Sequence, residues 1–179
     1  MEMYTTTKVE GKHPKWYNAF TNMHRRCYSM KFQERFPTYK GCSVTGEWHD
    51  RQVFADWYHT QPNGEGWHLD KDFLFEGNKV YSPATCVLLP SQLNTLLGSC
   101  TASRGVLPQG VTPNRGRFKA TLWIDGKNHH LGTFDTPEEA FEKYKRAKEE
   151  NVRRMADLWK ERIDPRVYDK LFHYRLRLL

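Results

Sequence analysis

The chain reads as an α+β protein in two parts. An N-terminal helical leader carries a strand–strand–helix (ββα) unit. A small antiparallel sheet follows, packed on a long helix and closed by a C-terminal helix. Three observations predict this. Trp16, Phe20, Met23 and Cys27 recur at helical spacing near the N-terminus. In the second half, Arg117, Lys119, Thr121 and Trp123 alternate with Phe118, Ala120, Leu122 and Ile124, the period of a half-buried strand. Thr136-Pro-Glu-Glu139 then forms a capping box with proline at the first helical position.

Taken in order, residues 1–12 are polar, and Lys15 to Tyr28 is the first helix. A polar stretch runs on to Lys40. Gly46 to Tyr58 reads as a second helix, with Trp48, Val53, Phe54 and Trp57 on its apolar side. Trp67 to Leu74 is a strand, Glu76 to Lys79 a turn and Val80-Tyr81 the short returning strand. Ser82-Pro83 breaks the chain, Cys86 to Leu89 is a short apolar strand, and Pro90 opens a helix through Leu97. The small polar run Gly98 to Arg104 marks a boundary between domains 1–103 and 104–179.

Beyond it, Arg115 leads into the alternating strand and Asp125-Gly126 is a hairpin signal. The return strand runs from about Asn128 to Phe134. Ala140, Tyr144 and Ala147 give the following helix a narrow stripe to lay on the sheet. That helix continues through Trp159, and Asp164-Pro165 starts a last one. Arg153, Arg154, Arg162, Arg166, Arg175 and Arg177 read as solvated helix faces.

Composition narrows the function. The net charge is +7, but residues 1–103 carry 11 Lys and Arg against 10 Asp and Glu, whereas residues 104–179 carry 17 against 11. The basic excess belongs to the second part, which suits a polyanionic partner such as nucleic acid or an acidic protein. Mean hydropathy is low at −0.82, yet aromatics make up 14% of the chain, which argues against disorder. Cys27, Cys42, Cys86 and Cys100 form no CxxC pair, so a zinc site is not expected. Lone cysteines without a signal-peptide pattern predict reduced thiols and a cytoplasmic location. No apolar run is long enough to span a membrane.

Residues 110–147 resemble the AP2 DNA-binding domain. The residues that carry the resemblance are Gly110-Val111, Arg117 to Ala120, Leu131 to Ala140 and Tyr144. It implies a three-stranded sheet laid in the major groove of double-stranded DNA, with Arg115, Arg117, Lys119, Thr121 and Trp123 facing the DNA. His130, with its neighbour His129, is a further candidate for a phosphate contact.

Residues 16–97 resemble the HNH-like proteins of bacteriophages, which are often joined to AP2 domains as homing endonucleases. The matching positions are Leu69-Asp70-Lys71, Gly77-Asn78, Tyr81-Ser82-Pro83, Thr85-Cys86, Pro90 and Asn94. Tyr39-Lys40-Gly41-Cys42 and Glu47-Trp48 look like the same family's leader. The resemblance implies a ββα-metal unit with Asp70 and Asn94 as ligands of magnesium or manganese. Asn78 would be the orienting amide, and one divalent ion would stabilise the leaving oxygen of a phosphodiester. Two positions depart from the family. Lys71 stands where the general-base histidine is expected, and lysine is a poor base near neutral pH. Thr85 replaces the middle asparagine. His68 and Asp72 share the strand face of Asp70 by alternation, so either could replace the missing base or act as a ligand.

Three functions follow as expectations. One is a metal-dependent endonuclease that cuts or nicks DNA chosen by the second domain. Another is a non-catalytic DNA-binding or regulatory protein in which Lys71 contacts phosphate. The third is a phage factor that binds and inhibits a host protein in the bacterial cytoplasm.

Overall fold

The computed structural model describes residues 4–64, 66–97 and 106–177. The chain is α+β, with small sheets and six α-helices among the described residues. It divides into two compact units. One is Met1–Asn94 with Glu161–Val167, and the other is Thr95–Lys160 with Tyr168–Leu179. The boundary expected at 103–104 lies outside the described residues, as does Cys100. No described helix is long and apolar enough to cross a membrane.

In the first unit, α1 spans Lys15–Tyr28 as its periodicity predicts, and Trp16, Met23 and Cys27 are buried. The expected polar stretch after it instead contains α2 (Met30–Arg35). Ser29 starts that helix by accepting a 3.3 Å bond from Phe32 N. A short strand β1 (Ser43–Val44) follows. The helix expected over residues 46–58 is broken in two. A 3₁₀ turn covers Gly46–His49, and α3 covers Arg51–Thr60. The break falls at Asp50, whose carboxylate caps α3 by accepting from Gln52 N at 2.7 Å.

Strand β2 covers only Trp67–Asp70, followed by β3 (Val80–Tyr81), β4 (Val87–Pro90) and α4 (Ser91–Leu96). The expected hairpin between residues 67–74 and 80–81 is not made. β2 instead pairs antiparallel with β4, with Asp70 opposite Val87, while β3 pairs parallel with β1. The strand ends early because Asp70 Oδ1 accepts from both Asp72 N (2.9 Å) and Phe73 N (2.6 Å), which turns the chain. Asp72 is therefore in a turn and not on the strand face of Asp70. The core of this unit joins Trp48, Phe54, Met23, Tyr81, Cys86 and Leu88. Burial pushes the thiols of Cys27 and Cys86 up to about 11 and about 12 respectively, so both are held as neutral, unreactive groups.

Helix α6 (Pro165–Phe172) starts at Asp164, whose carboxylate accepts from Arg166 N at 2.8 Å. Arg166 was expected on a solvated face. It is exposed, and its guanidinium also donates to the Asp164 carboxylate at 2.7 Å and to Ala84 O at 2.9 Å.

In the second unit, β5 (Val111–Asn114), β6 (Arg117–Ile124) and β7 (Lys127–Phe134) form one antiparallel sheet in the order β5-β6-β7. Its two connections are the two-residue turns Arg115-Gly116 and Asp125-Gly126, with all four residues at positive φ. Arg115 was expected to lead into the strand, and the structure places it in the turn at φ 50°. Helix α5 (Pro137–Trp159) opens on the full capping box, with Thr136 and Glu139 each accepting from the other's backbone N–H. Val111, Ala120 and Leu122 pack against Ala140, Phe141 and Tyr144 of α5. Arg154 is exposed as expected and also donates to both carboxylate oxygens of Asp125 at 3.2 and 3.1 Å, between α5 and the hairpin turn.

Tyr144 packs so closely on the start of β5 that a methyl group at Gly110 would overlap its ring, and Gly110 also has φ +76°. Gly110→Ala is therefore expected to cost about 2 kcal/mol or more in chemical unfolding, combining left-handed strain with overpacking. An unchanged urea midpoint would show that this contact is not part of the fold.

Candidate functional site

Two groups of residues matter, one in each unit. In the second, the alternation of β6 separates two faces. Ala120 and Leu122 are buried against α5, with Phe118 and Ile124 partly buried beside them. Arg117, Lys119, Thr121 and Trp123 occupy the opposite, outer face. Trp123 is 68% exposed, an unusual position for an indole on a folded sheet.

The neighbouring strands complete the outer face. Directly opposed residues of an antiparallel pair share a face, so Thr112 and Asn114 of β5 flank Lys119 and Arg117. On β7, Thr133 lies opposite Lys119, His130 opposite Thr121 and Asn128 opposite Trp123. The pairing shifts between Ala120 and Thr121, leaving Leu131 as an extra residue. That bulge moves His130 to the outer face. In unbroken register it would oppose Leu122 on the helix side, where His129 now pairs. Arg117 Nε donates to Asp135 Oδ1 at 2.7 Å. The sequence reading missed both the bulge and Asp135. Gly132 was the available signal for the bulge, since its φ of +140° is open to glycine alone.

In the first unit, the structure brings Asp70, Lys71, Asp72 and Asn78 together. Lys71 is buried, and its ammonium donates to Asn78 O at 2.8 Å and to Asp72 Oδ2 at 3.1 Å. It also lies 5.9 Å from the centre of the Tyr81 ring. Asn78 answers with its own amide, which donates to Lys71 O at 2.7 Å and to Val80 O at 2.8 Å and accepts from Val80 N at 3.2 Å. Thr85 adds a bond to Val80 O at 2.8 Å. The residue in place of a base, the expected orienting amide and the threonine in place of asparagine thus close one loop together.

Burial raises the Asp70 carboxyl above the usual range, and its hydrogen bond and repulsion with Asp72 add to this, against the two N–H groups it accepts. Asp72 lies below the usual range. Burial works against that, but hydrogen bonds from Asp70 and Lys71 and the Lys71 charge outweigh it. As pH rises, Asp72 therefore loses its proton before Asp70 does.

His68 and Asn94 stand apart from this group. His68 Nε2 is 3.0 Å from Ser91 Oγ, and Ser91 gives its hydroxyl proton to Gly66 O at 2.9 Å, so His68 Nε2 is the donor. Asn94 is half-buried on α4, with no hydrogen bond to the loop among the described residues. A divalent ion of the kind the resemblance implies needs several convergent ligands. Among the described residues, no three His, Cys, Asp or Glu side chains are grouped to hold one. The loop is closed as a hydrogen-bonded clasp by Lys71, Asn78 and Thr85. Compared with known proteins, the chain matches no family model, no curated protein and no solved structure.

Two outcomes follow from the clasp. Lys71→Met keeps most of the stem but removes the ammonium that donates to Asn78 O and Asp72, and should cost about 2–4 kcal/mol in urea unfolding. A loss below about 0.5 kcal/mol would mean that the buried ammonium holds nothing. The raised Asp70 carboxyl contributes stability that is complete below about pH 3.9, its ordinary value, and is lost as pH rises through its elevated value. The opposite contribution of Asp72 is present above about pH 3.9 and lost below it as pH falls through its lowered value. Asp70→Asn keeps an acceptor for the two N–H groups and gives Asp72 a donor. It should raise the urea midpoint at pH 7 and flatten the stability curve above about pH 4. A destabilised Asp70→Asn with the wild-type slope would contradict this assignment.

Proposed function

We propose that the protein binds double-stranded DNA through the outer face of the β5-β6-β7 sheet, with the ββα unit acting as a folded, non-catalytic support. The observation that carries this is Trp123, 68% exposed on a cationic strand whose other face is sealed by α5. A large exposed indole among basic and hydroxyl side chains fits a surface that is covered when a partner binds. From Arg117 to Trp123, β6 spans about 20 Å at ~3.3 Å per residue, about six base-pair steps. A narrow β-ribbon fits a major groove about 12 Å wide. The basic excess of residues 104–179 and their resemblance to AP2 domains point the same way.

A nuclease remains the second reading, favoured by the order β2, β4, α4 and by the raised carboxyl of Asp70. It asks Lys71 to serve as base, or His68 or Asp72 to replace it, with Asp70 and Asn94 as metal ligands. The ammonium of Lys71 and the amide of Asn78 are already committed to closing the loop, which is why the non-catalytic reading is preferred.

Fluorescence anisotropy with a labelled duplex across a salt series tests the interface. Affinity should fall steeply with salt. Lys119→Ala should reduce the slope of log K against log salt by about 1 if it meets a phosphate. Trp123→Ala should weaken binding about tenfold or more, on the order of 1.4 kcal/mol. Unchanged affinity in both variants would remove the sheet from the interface.

A further inference from the structure

The end of the outer face that carries Arg117 also carries a carboxylate, the group a phosphate-facing surface has least use for. Asp135 follows β7 directly, one step beyond the Phe118–Phe134 pair, and its Oδ1 accepts the 2.7 Å bond from Arg117 Nε. The two side chains are 52% and 79% exposed. An ion pair this open to water contributes little to folding, because solvent screens the attraction and two mobile side chains must be fixed. Stability therefore does not account for the pair.

What the pair does fix is the guanidinium. With Nε committed to Asp135, the long side chain loses much of its freedom, and both Nη groups remain uncommitted among the described residues. Two parallel N–H donors on a restrained plane match the N7 and O6 acceptors of guanine in the major groove. A phosphate would need only a nearby cation and no such restraint. We infer that Asp135 is a positioning residue that presents Arg117 to the edge of a guanine, so the DNA site contains a guanine at the base facing Arg117. This rests on the DNA-binding reading above. The same carboxylate repels phosphate, so it weakens binding to DNA that lacks the guanine and sharpens the discrimination.

A duplex pool with a randomised centre tests this, selected in parallel with the wild-type protein, Arg117→Ala, Asp135→Ala and Asp135→Asn. Wild type should enrich a guanine at one position, and Arg117→Ala should lose that preference. Asp135→Ala should lose about tenfold of the preference there, the scale of one well-placed base contact. Its preferences at other positions should persist, and its affinity for the unselected pool should stay equal or rise. Asp135→Asn keeps an acceptor oxygen and should recover part of the preference. A purely structural role for Asp135 would instead weaken all binding together, which overturns the inference. So would wild-type preference in Asp135→Ala, or a wild-type selection with no guanine sensitive to Arg117. If the wild-type protein retains no duplex at all, the DNA-binding reading itself fails and takes this inference with it.

Discussion

Most of what the second unit can do depends on one packing constraint, the closure of a three-stranded sheet on a single helix. Ala120 and Leu122 are buried in that contact against Ala140, Phe141 and Tyr144. Because strand side chains alternate, burying those two forces Lys119, Thr121 and Trp123 outward. The exposed indole is thus fixed by backbone geometry. Two contacts hold the constraint in place. The capping box starts α5 just beyond β7, and Tyr144 leaves Gly110 no room for a side chain.

The first unit gathers chemistry-bearing residues into one hydrogen-bonded loop. An aspartate pair, a buried lysine and an asparagine within nine residues of sequence look like a reaction centre. In the fold they close the loop between β2 and β3. Asp70 ends the strand by capping two N–H groups, and Lys71 and Asn78 bond each other's backbone carbonyls. Burial raises the Asp70 carboxyl, and its hydrogen bond and repulsion with Asp72 add to the rise. One cation beside two close carboxylates compensates one of them, and Asp72 takes the contact.

Much of this was legible in the sequence, and the failures have physical causes. The α1 stripe, the β6 alternation, the Asp-Gly turn and the α5 capping box are local patterns, and each appears where it was expected. Pairing partners were not legible. β2 and β3 are joined by a turn-like run, yet β2 pairs with β4 and β3 with β1. Short strands leave the choice of partner to tertiary packing. The end of β2 was missed because Asp70 was read for its charge, whereas its backbone capping decides the conformation. Likewise, the Arg117–Asp135 contact depends on strand register, which residue types alone do not report.

The most direct test of the account is a supercoiled-plasmid assay that reads binding and nicking together, with magnesium, with manganese and with EDTA. The account predicts a retarded plasmid that stays supercoiled in all three conditions. Metal-dependent nicking that disappears in Asp70→Ala while the plasmid remains bound would contradict it, and would make the loop between β2 and β3 a catalytic centre.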